Sequence, residues 1–295
     1  MPDVSQLVLG DGRRLAFDDV GDPHGVPLVY LHGTPDSRLA RHPNDRLAAS
    51  AGIRLIALDR PGAGASDPHP RATLVSLGDD IAALLDHLGL SHTLMLGWSS
   101  GGLWALAAAT VLGERVSGVG LVAPVPPIEA YRDPALLAAL APGRRQVVEL
   151  ALSESATALA AAIAPFLVPD PLTPALALAH VLEGAGERGR AELAEVPGAA
   201  EQLGRALAAS VEGGRGGIEH DIVLQFEPGL DLSRITVPVR TLHGDADGLS
   251  PPLVGSWLVS RLPVAVLDLF TGGSHHLMYP RWARILRSLR RDAGL

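Results

Sequence analysis

Six short, nearly continuous apolar runs, each ended by a turn-forming residue or an acid, constrain this chain more than any other feature. Leu28–Leu31 runs into His32-Gly33, Ile53–Leu58 into Asp59-Arg60-Pro61-Gly62, and Thr93–Leu96 into Gly97. Val119–Val122 runs into Ala123-Pro124, Val237–Leu242 into His243-Gly244, and Ala265–Phe270 into Thr271-Gly272. A strand that is apolar on both sides needs cover on both faces, which is the condition of a parallel sheet with flanking helices. Helical patterns lie between the runs. Leu74, Leu77, Ile81, Leu84, Leu85 and Leu88 form a stripe of 3.6-residue period, a second helix is expected over Ser99–Leu112, and a closing one over Arg281–Arg291. At the start, Val4–Leu9 and Arg14–Val20 flank Gly10-Asp11-Gly12 and read as a hairpin. The alternation implies an α/β fold with right-handed crossovers.

The pattern changes after residue 124. Up to about residue 219 the chain is rich in Ala and Leu, is broken by nine prolines and by Glu212–Gly217, and carries no strand-like run. We expect a helical insertion over residues 124–219 in a core domain built from residues 1–123 and 220–295. Two hairpin strands and six later ones give an expected sheet of eight.

The composition narrows the function classes. Of 295 residues, 47% are hydrophobic, enough for a real core, so disorder as the main state is excluded. The net charge is −8, and the one Arg cluster, Arg281 to Arg291, has the spacing of a solvated helix face, so no nucleic-acid partner is expected. The chain has no cysteine, which removes disulfides, thiolate nucleophiles and cysteine metal sites. There is no H-E-x-x-H or similar ligand cluster, and neither a metal nor another cofactor is expected. The opening MPDVSQLVLGDGRR lacks the pattern of a secretory signal, and no apolar run reaches the roughly 18 residues of a membrane span. A cytoplasmic protein without a membrane partner is therefore expected.

Chemistry concentrates at the ends of the strands. Gly97-Trp98-Ser99-Ser100-Gly101 is a G-x-S-x-G sequence between an expected strand and an expected helix. There the glycines permit a sharp strand-to-helix turn that presents Ser99, and the helix N-terminus aims free N–H groups at a reacting oxygen. His32-Gly33-Thr34-Pro35 follows an earlier strand. The Thr34 N–H, with that of Ser100, would make a two-donor oxyanion hole. A serine hydroxyl needs a base and the base needs an acid. The chain offers Asp245 and Asp247 at one strand end and His275 and His276 at the next, in the order Ser, Asp, His.

These stretches resemble the α/β-hydrolase fold family, in its α/β-hydrolase-1 type. LVYLHGTPDSR, LIALDRPGAGASD, LMLGWSSGGLWALA, VPVRTLHGDADGLSPP and TGGSHH stand in the family's order and span nearly the whole chain outside the insertion. The resemblance implies a mostly parallel eight-stranded sheet with helices on both faces, and a helical lid between the sixth and seventh strands. It selects Asp247 over Asp245 as the acid and His275 over His276 as the base. The proline iminopeptidase branch has HGGPG where this chain has HGTPD, and the branches with an Asp nucleophile have Asp where Ser99 stands.

The expected activity is acyl transfer to water: Ser99 attacks, His275 takes the proton, Asp247 holds the imidazolium, and Thr34 and Ser100 bind the oxyanion. Pro35 and Trp98 are candidates for the substrate wall. The Ala, Leu, Val and Pro content of the insertion favours a small or medium apolar ester or lactone. Carbon–carbon bond hydrolysis, perhydrolase chemistry with the same triad, and a non-catalytic ligand-binding role are the alternatives. His32 and His243 read as scaffold, His42, His69, His87, His92 and His180 as surface or satisfied, and His220-Asp221 as a helix start.

Overall fold

The computed structural model describes residues 4–153, 155–170, 172–226 and 229–295. The eight strands are β1 (Ser5–Val8), β2 (Arg14–Gly21), β3 (Val26–Leu31), β4 (Ile53–Leu58), β5 (Thr93–Trp98), β6 (Val116–Val122), β7 (Val239–Gly244) and β8 (Ala265–Phe270). They form one sheet in the order β1-β2-β4-β3-β5-β6-β7-β8. β1 pairs antiparallel with β2, and β2 antiparallel with β4; every later pairing is parallel. The chain thus enters through a hairpin and then winds a parallel sheet whose C-terminal strand ends share one edge.

The sheet is covered as its apolar strands require. Before β6 the helices are α1 (Arg46–Ser50), α2 (Leu77–His87) and α3 (Gly101–Leu112). Between β6 and β7 come α4 (Pro134–Ala139), α5 (Pro142–Ser153), α6 (Ala156–Leu167), α7 (Pro174–Gly184), α8 (Gly186–Ala194), α9 (Ala199–Ala209) and α10 (Gly216–Gln225), and α11 (Leu253–Val259) and α12 (Met278–Asp292) complete the chain. One apolar cluster joins Val29, Leu31, Ile56 and Met95 to α2, α3 and α11; the other joins Leu28, Tyr30, Leu55 and Leu96 to α1 and α12. Alternate residues of the same strands face the two clusters, as the two-residue period of a strand dictates. Strand β8 departs from the expectation of cover on both faces: Val266 and Leu269 are exposed, because β8 is the sheet's edge.

Helix α12 buries Met278, Tyr279, Trp282, Ile285, Leu286 and Leu289 on one side. Its arginines are more engaged than a solvated face implies: Arg281 donates to Glu192 Oε1 at 2.8 Å and Arg290 to the Ala51 carbonyl at 2.8 Å. Between β6 and β7 every regular element among the described residues is a helix. Ala160, Ala164, Val168, Ala177, Leu207, Ile218 and Ile222 make a small core of that segment's own. Helix α10 begins at Gly216, so His220 and Asp221 lie inside it and not at its start. Two short helices, α1 and α11, carried too little periodic signal to be expected. Among the described residues no helix is long and apolar enough to cross a membrane.

Candidate active site

Ser99 follows the end of β5 and precedes α3 with φ +55°, in the left-handed region that non-glycine residues rarely adopt. Such a conformation costs about 1–3 kcal/mol and persists only where its surroundings enforce it. Here they do: the Ser99 N–H donates to Val122 O at 2.9 Å, and its carbonyl accepts from Gly102 N–H at 3.0 Å and Val125 N–H at 3.3 Å. The flanking glycines are sterically required. A Cβ on Gly97 would lie 2.2 Å from the Gly101 carbonyl oxygen, and one on Gly101 would lie 2.1 Å from the Leu31 carbonyl oxygen.

The two residues after β3 come up beside this turn. A Cβ on Gly33 would stand 3.3 Å from Ser99 Cβ. Among the described residues, the backbone N–H groups of Thr34 and Ser100 have no hydrogen-bond acceptor. Both residues line a cavity of about 250 Å³ that Ser99, His275, Pro35 and Trp98 also line. Two uncommitted donors beside a serine at a helix N-terminus are the arrangement that can hold a developing oxyanion.

Asp247 and His275 meet although 28 positions apart: His275 Nδ1 lies 2.8 Å from Asp247 Oδ2. Asp247 is also held by the Leu249 and Ser250 N–H groups, both 2.9 Å from Oδ1. Burial pushes its pKa up, but the charge of His275 and the hydrogen bonds from His243, His275 and Ser250 outweigh it and hold the carboxyl well below the usual range. Asp245 points elsewhere and accepts the Gly272 N–H at 2.7 Å. His276 is buried, its Nδ1 has no partner among the described residues, and burial lowers its pKa to about 3. The Ser99 hydroxyl makes no hydrogen bond among the described residues, and Ser99 lines the same cavity as His275. Trp98 ties the two loops together, its Nε1–H donating to the His275 carbonyl at 2.9 Å.

The scaffold histidines have defined partners. His32 receives the Arg60 N–H on Nε2 at 3.2 Å, and His243 Nε2 lies 2.8 Å from the Ser250 carbonyl. His42 is stacked on Trp282 and accepts the Asn44 N–H. His180 lines the cavity, a position its scattered place in the sequence did not suggest.

Several residues of the site were not singled out by the sequence. The Asp36 carboxyl faces the cavity without a hydrogen-bond partner among the described residues, and burial raises its pKa well above the usual carboxylate range against the opposing charge of Arg60. Arg60 and Asp221 form a buried ion pair beneath Thr34, with Arg60 Nη2 2.8 Å from Asp221 Oδ2. Glu192 of α8 receives the Ser274 N–H at 3.2 Å and its hydroxyl, so α8 grips the loop that carries His275. A second chamber of about 430 Å³, lined by Val125, Ile128, Val147, Ile163, Leu167 and Phe226 among others, adjoins the first at Thr34 and Gln225. Arg144 stands at both.

An elbow serine after β5 of a parallel sheet covered on both faces, with an Asp–His pair after β7 and β8, defines a class of fold. Residues 26–279 match the alpha/beta hydrolase fold family, and the chain belongs to it. Part of the chain is 37% identical to the dihydrolipoyllysine-residue acetyltransferase component of the acetoin cleaving system of Pseudomonas putida, over 38% of this chain and 30% of that protein. A similar part is 36% identical to a probable proline iminopeptidase of Streptomyces coelicolor, over 38% of this chain and 35% of that protein. The chain thus spans about a third of the length of these relatives. Among solved structures it is similar to the esterase RhEst1 of Rhodococcus sp. ECU1013, with a TM-score of 0.61 and 22% identity over 99% of this chain and 98% of that one. That likeness is one of fold.

Proposed function

We propose that this protein is a serine hydrolase that cleaves a carboxylic ester or lactone through an acyl-enzyme. Ser99 Oγ attacks the substrate carbonyl carbon as His275 takes its proton. The carbonyl oxygen becomes an oxyanion between the Thr34 and Ser100 N–H groups. Asp247 holds the imidazolium that forms. His275 then returns the proton to the leaving alkoxide, and the acyl group stays on Ser99. Water, deprotonated by His275, attacks the acyl carbon and releases the acid, which regenerates the serine. Residues 124–219 act as a lid over the cavity, and Pro35 and Trp98 form part of its wall.

The observation that carries this proposal is the 2.8 Å contact of Asp247 with His275, which lines the cavity that the elbow Ser99 also lines. The apolar second chamber supports an apolar chain on the substrate. The test is turnover of p-nitrophenyl esters and of a lactone by wild type and Ser99→Ala. Wild type is expected to release acid from at least one of them, and Ser99→Ala to lose at least about 10³-fold in kcat with its melting temperature retained. A folded wild type inert to the whole set, or a Ser99→Ala protein as active as wild type, overturns the proposal.

A further inference from the structure

The Thr34 hydroxyl is the centre of a buried polar cluster that joins four parts of the chain. It lies 2.8 Å from Ser100 Oγ and donates to Asp221 Oδ2. It receives Arg60 Nη2–H at 2.9 Å and Gln225 Nε2–H at 3.0 Å. A hydroxyl has one proton to give. Since Thr34 gives it to Asp221, Ser100 is the donor in the contact between the two hydroxyls, and it shares the two lone pairs of the Thr34 oxygen with Arg60 and Gln225, so that the two residues whose N–H groups face the cavity also meet side chain to side chain.

Arg60 fixes one of those N–H groups by a second route. Its guanidinium donates to the His32 carbonyl and, at 3.2 Å, to the Gly33 carbonyl. The Gly33 carbonyl and the Thr34 N–H belong to one planar peptide unit and point in opposite directions. Holding that carbonyl on Arg60 turns the Thr34 N–H away from the guanidinium. Asp221 in turn holds Arg60 by two contacts, Nε to Oδ1 at 3.0 Å and Nη2 to Oδ2 at 2.8 Å. Their side chains are 3% and 10% exposed, so solvent contributes little to the pair's geometry. Arg60 follows β4, whereas Asp221 and Gln225 belong to α10, which precedes β7.

We propose that Arg60 and Asp221 are positioning residues for the oxyanion hole, orienting the Gly33–Thr34 peptide so that its N–H faces the cavity, and that α10 must be seated for this donor to be in place. The proposal rests on the hydrolase reading above. It differs from a merely structural role in what it predicts: a loss of transition-state binding without a loss of substrate binding.

The test compares Asp221→Asn, Thr34→Val and Thr34→Ser with wild type on a p-nitrophenyl ester and on phenylboronic acid, whose adduct with Ser99 places a charged oxygen between the two N–H groups. Removing an oxyanion donor outright costs about 10²–10³ in kcat, so misdirecting one is expected to cost about 10- to 100-fold. Asp221→Asn and Thr34→Val are expected to lower kcat by that factor, keep KM within about twofold, and raise the phenylboronic acid Ki in parallel with the fall in kcat. Thr34→Ser, which keeps the hydroxyl, recovers most of the loss. Asp80→Asn breaks the Arg13–Asp80 pair on the far side of the hairpin and leaves kcat as in wild type. Should Asp221→Asn fail to fold, the Thr34→Val and Thr34→Ser pair decides alone. An active wild type whose variants change KM only, or change neither kcat nor Ki, overturns the positioning role and leaves the hydrolase reading standing. A wild type inert to the ester, with Ser99 unreactive to a fluorophosphonate, overturns both.

Discussion

His276 makes this protein's stability depend on pH in a way that can be worked out in advance. It is 5% exposed, its ring lies beside Trp98 with centroids 5.8 Å apart, and its Nδ1 has no partner among the described residues. Burial, reinforced by the charge of His275, lowers its pKa to about 3. In the unfolded chain the same imidazole titrates near 6.5. Between about pH 6.5 and 3 the unfolded state therefore binds a proton that the native state refuses, so stability falls as pH drops through that window. Above about pH 6.5 neither state binds the proton and the full stability is present. Integrating from about pH 6.5 to about 4.5 gives a loss of about 2 kcal/mol from this one group. With an unfolding entropy of about 2.1 cal/mol/K per residue, that is roughly 3–4 °C in Tm for a chain of 295 residues. His42, lowered to about 4 by burial, adds to the same slope in both proteins. Thermal melts followed by circular dichroism across this range, for wild type and for His276→Gln, isolate the term. The variant's Tm is expected to fall by about 3–4 °C less than that of wild type. Equal falls in the two proteins would show that His276 contributes nothing to the pH dependence.

Two further substitutions probe other parts of the site. Asp247→Asn keeps an acceptor for the Leu249 and Ser250 N–H groups but no longer fixes the His275 tautomer; kcat on a p-nitrophenyl ester is expected to drop by about 10³–10⁴-fold, and a loss under tenfold would contradict the pairing's role. Gly101→Ala drives a Cβ to 2.1 Å from the Leu31 carbonyl and is expected to cost about 3 kcal/mol or more with loss of activity, whereas Gly143→Ala meets nothing within 4 Å and is expected to leave Tm unchanged or slightly higher by thermal melt.

The sheet was legible in the sequence because its strands are apolar on both faces and are punctuated where they end. The hairpin at Gly10–Gly12 and every later strand fall within three residues of their expected bounds. The same punctuation exposes the loops of the candidate site, since Gly97 and Gly101 are required by backbone contacts that leave no room for a side chain. Choosing Asp247 over Asp245 needed either the family resemblance or coordinates, because both acids sit in one short loop and only the three-dimensional path shows which faces His275. Arg60, Asp221 and Gln225 were not legible at all. Each is an ordinary polar residue locally, and their meaning lies in a contact across 161 positions between Arg60 and Asp221. His220-Asp221 reads as a helix start because Asp favours caps, yet here the Gly-rich stretch before it is already helical from Gly216 and Asp221 is spent on Arg60. Asp36 is similar: only the fold shows that this carboxyl faces the same cavity as Ser99.

Ser99 as the nucleophile is tested by peptide mapping by mass spectrometry after exposure to a fluorophosphonate. One phosphonyl adduct per chain is expected, carried by Ser99 and abolished in Ser99→Ala. A folded wild type that remains unmodified, or one modified at another residue while ester turnover continues, would contradict it.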